Sequence, residues 1–218
     1  LDQIAAAVAL IRATTPTFDL AKVAWDDSAA LELFARGETA GVFKFEGVSM
    51  GEYLTRLKPS SLDDLTALYA LYHFGGRELT ASLIERKQGN ETIEYAHALL
   101  EPILAETYGI IVYQEQIQRI CHDLAGISLS RADGLRKAMA RGLVDRMERY
   151  KKEFAAGTRQ NEIRQDVAQR VWDEIELFSA TVFNKAHAYA YSCIAFRCAY
   201  LKAHYPDEFY QAFTIENG

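Results

Sequence analysis

FSATVFNKAHAYAYSCIAFRCAYLKAHY, residues 178–205, is the stretch on which the reading of this chain turns. It joins an Asn-Lys-x-His cluster to a long apolar run whose interior carries only Arg197 and Lys202 as full charges, and it stops at Pro206, which cannot continue a helix. The pattern predicts a long buried helix over 185–204. Asn184, Lys185 and His187 place an amide, a cation and an imidazole within one turn at its mouth. Helix N-termini offer free N–H groups and the positive end of the dipole, so this cluster suits a phosphate-bearing ligand.

Outward from that segment the chain is mainly α, with one or two minor short β-strand pairs expected. Helices are predicted over 2–13, from a cap at Asp26 or Asp27 to Arg36, near 49–57, from Ser61 to about Tyr72, near 78–87, over 114–126, from Ser130 through Arg136 and Lys137, near 143–156, over 163–178, and after Pro206. Ser61–Asp64 and Ser130–Asp133 both have capping-box spacing. TAGVFKFE (39–46) and TYGIIVY (107–113) read as β-like runs. Gly75-Gly76 and Gly89-Asn90 mark breaks, and Gly126 closes the helix that begins at Gln114. Gln114, Glu115 and Gln116 are expected to fix a strand-to-helix turn by satisfying free backbone groups.

Composition narrows the function classes. Half of the 218 residues are hydrophobic, 25% are charged and only 4 are proline, which fits a helix-rich globular chain and excludes a disordered one. Cys121, Cys193 and Cys198 lack zinc-ligand spacing, so reduced thiols are expected and no metal ligands. The apolar run 186–201 is too short for a bilayer span and contains Arg197, so no membrane helix is expected. The chain opens at Leu1 inside an apparent helix and reads as a piece of a longer protein. Net charge is −6, yet residues 131–152 hold eight Lys or Arg against three acids, leaving +5 there and −11 elsewhere. A basic stretch on an acidic background is what a phosphate-facing surface requires. The same stretch also reads as a solvated helix face laced by pairs such as Asp145–Arg149 and Glu148–Lys152.

Three long segments carry a family resemblance: TAGVFKFEGVSMGEYLTRLKPSSLDDLTALYALY (39–72), ETYGIIVYQEQIQRICHDLAGISLSRADGLRKAM (106–139) and FNKAHAYAYSCIAFRCAYLKAHYPDEF (183–209). Nearly the whole chain resembles the fingers region of the bacterial replicative DNA polymerase III alpha subunits, the family C DNA polymerases. The resemblance implies a multi-helix fingers domain, with 1–36 a helical connection from the palm and 37–218 the fingers proper, the palm and other domains lying outside. It implies a DNA-directed DNA polymerase that joins a primer 3′-hydroxyl to the α-phosphate of a dNTP, using Mg2+ held by palm aspartates in an Asp-x-Asp arrangement. This chain has no Asp-x-Asp, and its adjacent acids, Asp26–Asp27 and Asp63–Asp64, read better as helix caps. No catalytic residue or metal ligand is therefore expected here, and the isolated chain is expected to be inactive.

By the same resemblance, Arg136, Lys137, Asn184, Lys185 and His187 are the nucleotide-binding residues, and Arg141, Lys151, Lys152, Tyr189 and Tyr191 face DNA. The two tyrosines can equally be core residues with bonded hydroxyls. The implied partners are template-primer DNA, dNTP and, in the full-length protein, the sliding clamp and other replisome subunits, in the bacterial cytoplasm. Some positions depart from the family pattern. Tyr72-His73-Phe74-Gly75-Gly76 stands for Tyr-Arg-Pro-Gly-Pro, Ala140-Arg141-Gly142 for Gly-Lys-Lys, Ala180-Thr181-Val182 for Gly-Tyr-Gly, and Ala186 for a serine. A second function class is therefore carried forward: a noncatalytic relative that keeps the fold as a nucleic-acid or protein interaction module.

Overall fold

The computed structural model describes residues 2–217, with the side chains of 75, 140 and 213–217 set aside, so the Ala140 departure lies outside the described side chains. The chain divides into two compact units, Leu1–Tyr69 with Ala186–Gly218, and Ala70–Lys185. The architecture is mainly α.

The first unit is built from α1 (Asp2–Thr14), α2 (Ser28–Ala35), α3 (Val48–Leu57), α4 (Leu62–Ala70) as far as Tyr69, α11 (Lys185–His204) from Ala186 onward, and α12 (Pro206–Asn217). Helix α1 lies against α12, and α2 against α3. The apolar character of α11 is explained by its burial, which takes in Ala188, Ser192, Ala195, Phe196, Cys198, Ala199 and Leu201. Asp27 caps α2 by accepting from Ala30 N at 2.9 Å, and the same carboxylate bonds His204 Nε2 at 3.0 Å. Ser61 Oγ caps α4 by accepting from Asp64 N at 3.2 Å, while the buried Asp64 carboxylate reaches back to Ser60 N at 2.8 Å.

The β-like run at 39–46 is a series of turns. Gly41, Lys44 and Gly47 have φ of 78°, 62° and 104°, and such left-handed residues cannot continue an extended strand. Lys202 Nζ donates to Glu38 O and Ala40 O, each at 2.7 Å, and so satisfies carbonyls that no strand partner takes up.

The second unit contains a π-type turn (Leu71–Gly75), α5 (Gly76–Lys87), α6 (Glu101–Leu104), α7 (Gln114–Ala125), α8 (Leu129–Ala140), α9 (Val144–Gln160) and α10 (Gln165–Phe178). Its core is organised by α7. Ile117, Ile120, Cys121 and Leu124 follow the i, i+3, i+4, i+7 rule and form one buried stripe with Leu135 and Ala138 of α8, Phe154 of α9, and Val171, Trp172 and Ile175 of α10. Burial pushes the Cys121 thiol up to about 12, so this sulfur behaves as an apolar side chain. All three cysteines are free. Gly126, with φ 65°, closes α7 as its position predicts.

Two sequence expectations shift here. The cap of α8 is Ser128, whose Oγ accepts from Arg131 N at 3.3 Å, and Ser130 lies inside the helix. The run 107–113 is turned by Tyr108 and Gly109, with φ of 52° and 79°, so that among the described residues β structure is reduced to one parallel bridge, Tyr113 with Phe183. No helix of the described residues is long and apolar enough to cross a membrane.

Helices α7 and α9 meet closely at Gly157, where a Cβ would lie 1.9 Å from the Ala125 carbonyl oxygen. The obstructing atom is backbone and cannot rotate aside. Gly157→Ala should therefore lower stability by about 1–3 kcal/mol through forced separation of the helices, read as a reduced urea midpoint at unchanged m-value.

Candidate functional site

The candidate site grows from the first turn of α7. Gln116 is 3% exposed and makes four hydrogen bonds. Its Oε1 accepts from Val112 N and Tyr113 N, both at 2.9 Å, and its Nε2 donates to Ile103 O at 3.2 Å and Thr107 Oγ1 at 2.9 Å. The turn ahead of α7 is thereby locked, which is the role its polar residues suggest. Phe183 N donates to Val112 O at 2.9 Å and Gln114 N to Phe183 O at 3.0 Å, bringing the 180s loop alongside this turn. Phe74 and Phe183 stack with centroids 4.4 Å apart.

That register places Asn184 and Lys185 over Glu115. The Glu115 carboxylate accepts from Asn184 Nδ2 at 2.8 Å and from Lys185 N at 3.0 Å, which caps the N-terminus of α11 with a negative charge. The Lys185 ammonium pairs with Glu106 and stands 5.6 Å from the centre of the Tyr113 ring. On the other side of the turn, Arg136 Nη1 approaches Gln114 Oε1 at 3.5 Å, and its Nε donates to Asp133 Oδ1 at 2.8 Å. Lys137 Nζ pairs with the second Asp133 oxygen at 2.7 Å. Adjacent residues Gln114 and Glu115 thus connect two basic segments separated by some 48 positions in the chain.

The cations are paired yet reachable: the Arg136, Lys137 and Lys185 side chains are 30%, 56% and 35% exposed. Three cations face Asp133, Glu106 and Glu115, so the cluster is self-neutralised. An incoming anion competes with those carboxylates, which favours a ligand bearing several charges at once.

The remaining sequence-predicted residues are distributed more widely. Arg141 follows α8 and is exposed, and on α9 Lys152 is exposed while Lys151 pairs with Glu176 at 3.6 Å. His187, Tyr189 and Tyr191 belong to the first unit. There Tyr191 joins an aromatic group with Phe43, Tyr69 and His187, at centroid distances of 5.5, 5.5 and 4.4 Å, while Tyr189 is exposed. Sequence reasoning missed Glu106, Glu115 and Asp133 as partners of the cations. Asp133 was legible in principle, since it stands three and four residues before Arg136 and Lys137 on one helix face. Glu106 and Glu115 lie some 70 to 79 positions from Lys185, and no local spacing announces them. Among the described residues no three His, Cys, Asp or Glu side chains come together as a metal site.

Comparison with known proteins identifies the family of the chain. A family described as "Bacterial DNA polymerase III alpha subunit finger domain" matches residues 1–162. Curated proteins named DNA polymerase III subunit alpha are similar over most of the chain. That of Thermus aquaticus is 43% identical over 199 residues, covering 89% of this chain and 16% of its own length. The Rickettsia prowazekii protein is 43% identical over 191 residues (88% and 16%), and the Bacillus subtilis protein 42% over 188 residues (86% and 17%). The chain therefore spans about one sixth of the length of these relatives.

Hydrogen bonds from Lys137 and Arg136 hold the Asp133 carboxyl below its ordinary 3.8. Because the folded value is depressed, the stabilisation from this trio is present above the unfolded value and disappears as pH falls through the folded one. A carbon-13 NMR titration should give an Asp133 midpoint below 3.8, moving back towards 3.8 when Arg136 and Lys137 are both replaced by Ala.

Proposed function

The chain belongs to the bacterial DNA polymerase III alpha subunit finger-domain family, and from that premise we propose that it forms the fingers of a DNA-directed DNA polymerase and grips the triphosphate of an incoming dNTP. The observation that carries this reading is the convergence of Arg136–Lys137 and Asn184–Lys185 on the first turn of α7. Attack of a primer 3′-hydroxyl on the α-phosphate builds charge on the departing pyrophosphate, and fixed cations lower that barrier. Arg136 supplies a planar fork for two phosphate oxygens, Lys137 and Lys185 supply point charges, and Asn184 positions. A triphosphate carries enough charge to displace Asp133 and Glu106 together, whereas a monoanion does not. In the same reading His187 is a nucleotide-binding residue.

In the same reading Arg141, Lys151 and Lys152 meet template-primer phosphates and Tyr189 and Tyr191 stack on the base pair. The stretch 1–36 is the connection from a palm, and 37–218 is the fingers proper. In this reading Mg2+ is held by palm carboxylates elsewhere in the polypeptide, and the residues named here hold phosphate. The clamp and other replisome subunits are partners of that longer protein, in the cytoplasm. A second reading, a noncatalytic interaction module, is favoured by the pairing of Arg136, Lys137 and Lys185 to carboxylates.

The two readings separate in the full-length polypeptide. Arg136→Ala or Lys185→Ala should lower dNTP incorporation efficiency by about 10- to 100-fold, the loss expected of one charge-assisted contact, with primer–template affinity nearly unchanged. Unchanged incorporation in both variants removes the site assignment. Absence of an Asp-x-Asp palm motif from the same reading frame selects the module. Lys152→Ala should instead weaken DNA affinity and flatten its salt dependence.

A further inference from the structure

Glu106 sits on the short turn Ala105–Thr107 ahead of α7, and its carboxylate pairs with the Lys185 ammonium. The backbones on both sides of this pair are fixed independently of it. Thr107 is fully buried, its Oγ1 accepting from Gln116 Nε2 at 2.9 Å and donating to Ile110 O at 2.6 Å. Lys185 opens α11 with its own N–H bonded to Glu115 at 3.0 Å. Both side chains of the pair are half-buried, so it is preorganised and still open to exchange with an ion from solvent.

The other carboxylates of the cluster have other duties. Glu115 caps α11 and holds Asn184, and Asp133 divides its oxygens between Arg136 and Lys137 along one helix. Glu106 comes from 79 positions before Lys185 and meets its ammonium side chain to side chain. The buried Tyr113 ring has its centre 5.6 Å from the same ammonium. A ring contact serves a cation whichever anion stands opposite, so Lys185 can trade one oxygen partner for another and keep it.

We propose, on the reading of Lys185 as a triphosphate contact, that Glu106 is the resident counter-ion of the nucleotide site, an internal competitor that limits its affinity and hastens its emptying. In the empty site Glu106 holds Lys185. An arriving dNTP takes the ammonium over, and the carboxylate reclaims it as pyrophosphate departs. Binding is thus an exchange of partners, and the observed affinity is the intrinsic one reduced by the fraction of molecules in which the ammonium is unclaimed. The competitor acts on dNTP and on pyrophosphate alike, since both present phosphate oxygens to the same ammonium.

The test uses the full-length polypeptide on primer–template DNA. Affinity for dNTP is taken from the concentration dependence of single-turnover incorporation, and affinity for pyrophosphate from product inhibition. Glu106→Gln, which keeps the shape and removes the charge, should tighten both by about three- to tenfold and leave primer–template affinity unchanged. Adding Lys185→Ala should abolish the gain, so that the double variant matches Lys185→Ala alone within about twofold. If Lys185→Ala impairs incorporation while Glu106→Gln leaves both affinities unchanged, the counter-ion is overturned and the nucleotide site stands. Unchanged incorporation in Lys185→Ala removes the site and the counter-ion together. A gain that survives in the double variant overturns exchange at Lys185, and weaker dNTP binding by Glu106→Gln overturns competition altogether. Should Glu106→Gln fail to fold, Glu106→Ala carries the same expected gain.

Discussion

The buried amide of Gln116 is the constraint on which the candidate site depends. An amide side chain has two donors and an acceptor with two lone pairs, and here its oxygen takes two backbone N–H groups while its nitrogen serves a carbonyl and a hydroxyl. Each buried group left unpaired would cost about 1–3 kcal/mol, so the turn at 110–113, the segment at 103–107 and the start of α7 are held as one piece. From this fixed turn the parallel bridge to Phe183 follows, and from the bridge the position of Asn184 and Lys185 above Glu115. A displacement of the turn would separate the two basic segments, because Gln114 and Glu115 are what they share.

The electrostatics of the cluster follow from how its charges are sourced. The acidic excess outside residues 131–152 includes Glu106 and Glu115, and both sit on the cluster around Lys185. Within the basic stretch, Asp133 divides its two oxygens between Arg136 and Lys137. Partly exposed pairs of this kind stabilise a fold only weakly, while their exposure keeps the cations within reach of a competing polyanion. Glu115 already occupies the place at the α11 N-terminus that the sequence suggests for a phosphate. The helix dipole is satisfied by an internal carboxylate.

Legibility varied with the range of the interactions involved. The α7 stripe, the Gly126 cap and the end of α11 at Pro206 were readable because each depends on residues within two turns of one another. The turns at 39–46 read as strand because Val42, Phe43 and Phe45 favour sheets, whereas Lys44 adopts a positive φ that composition does not announce. At α8, Ser128 and Ser130 are both good caps by type, and the start of the helix is settled by packing against α7 and α9. At 107–113 the β propensity was real, yet only Tyr113 finds a strand-like partner, because Tyr108 and Gly109 turn the chain.

By itself the sequence determined the helical class and the family, since these rest on periodicity, punctuation and long contiguous motifs. It did not determine which carboxylate each cation meets. Glu106 and Glu115 reach Lys185 across some 70 to 79 residues, a proximity that arises only when α7 and the 180s loop have docked through Gln116 and the Tyr113–Phe183 bridge. Side-chain type sets what a residue can do. Its partner is chosen by the packing that brings distant segments within hydrogen-bonding distance, and packing is a property of the folded chain.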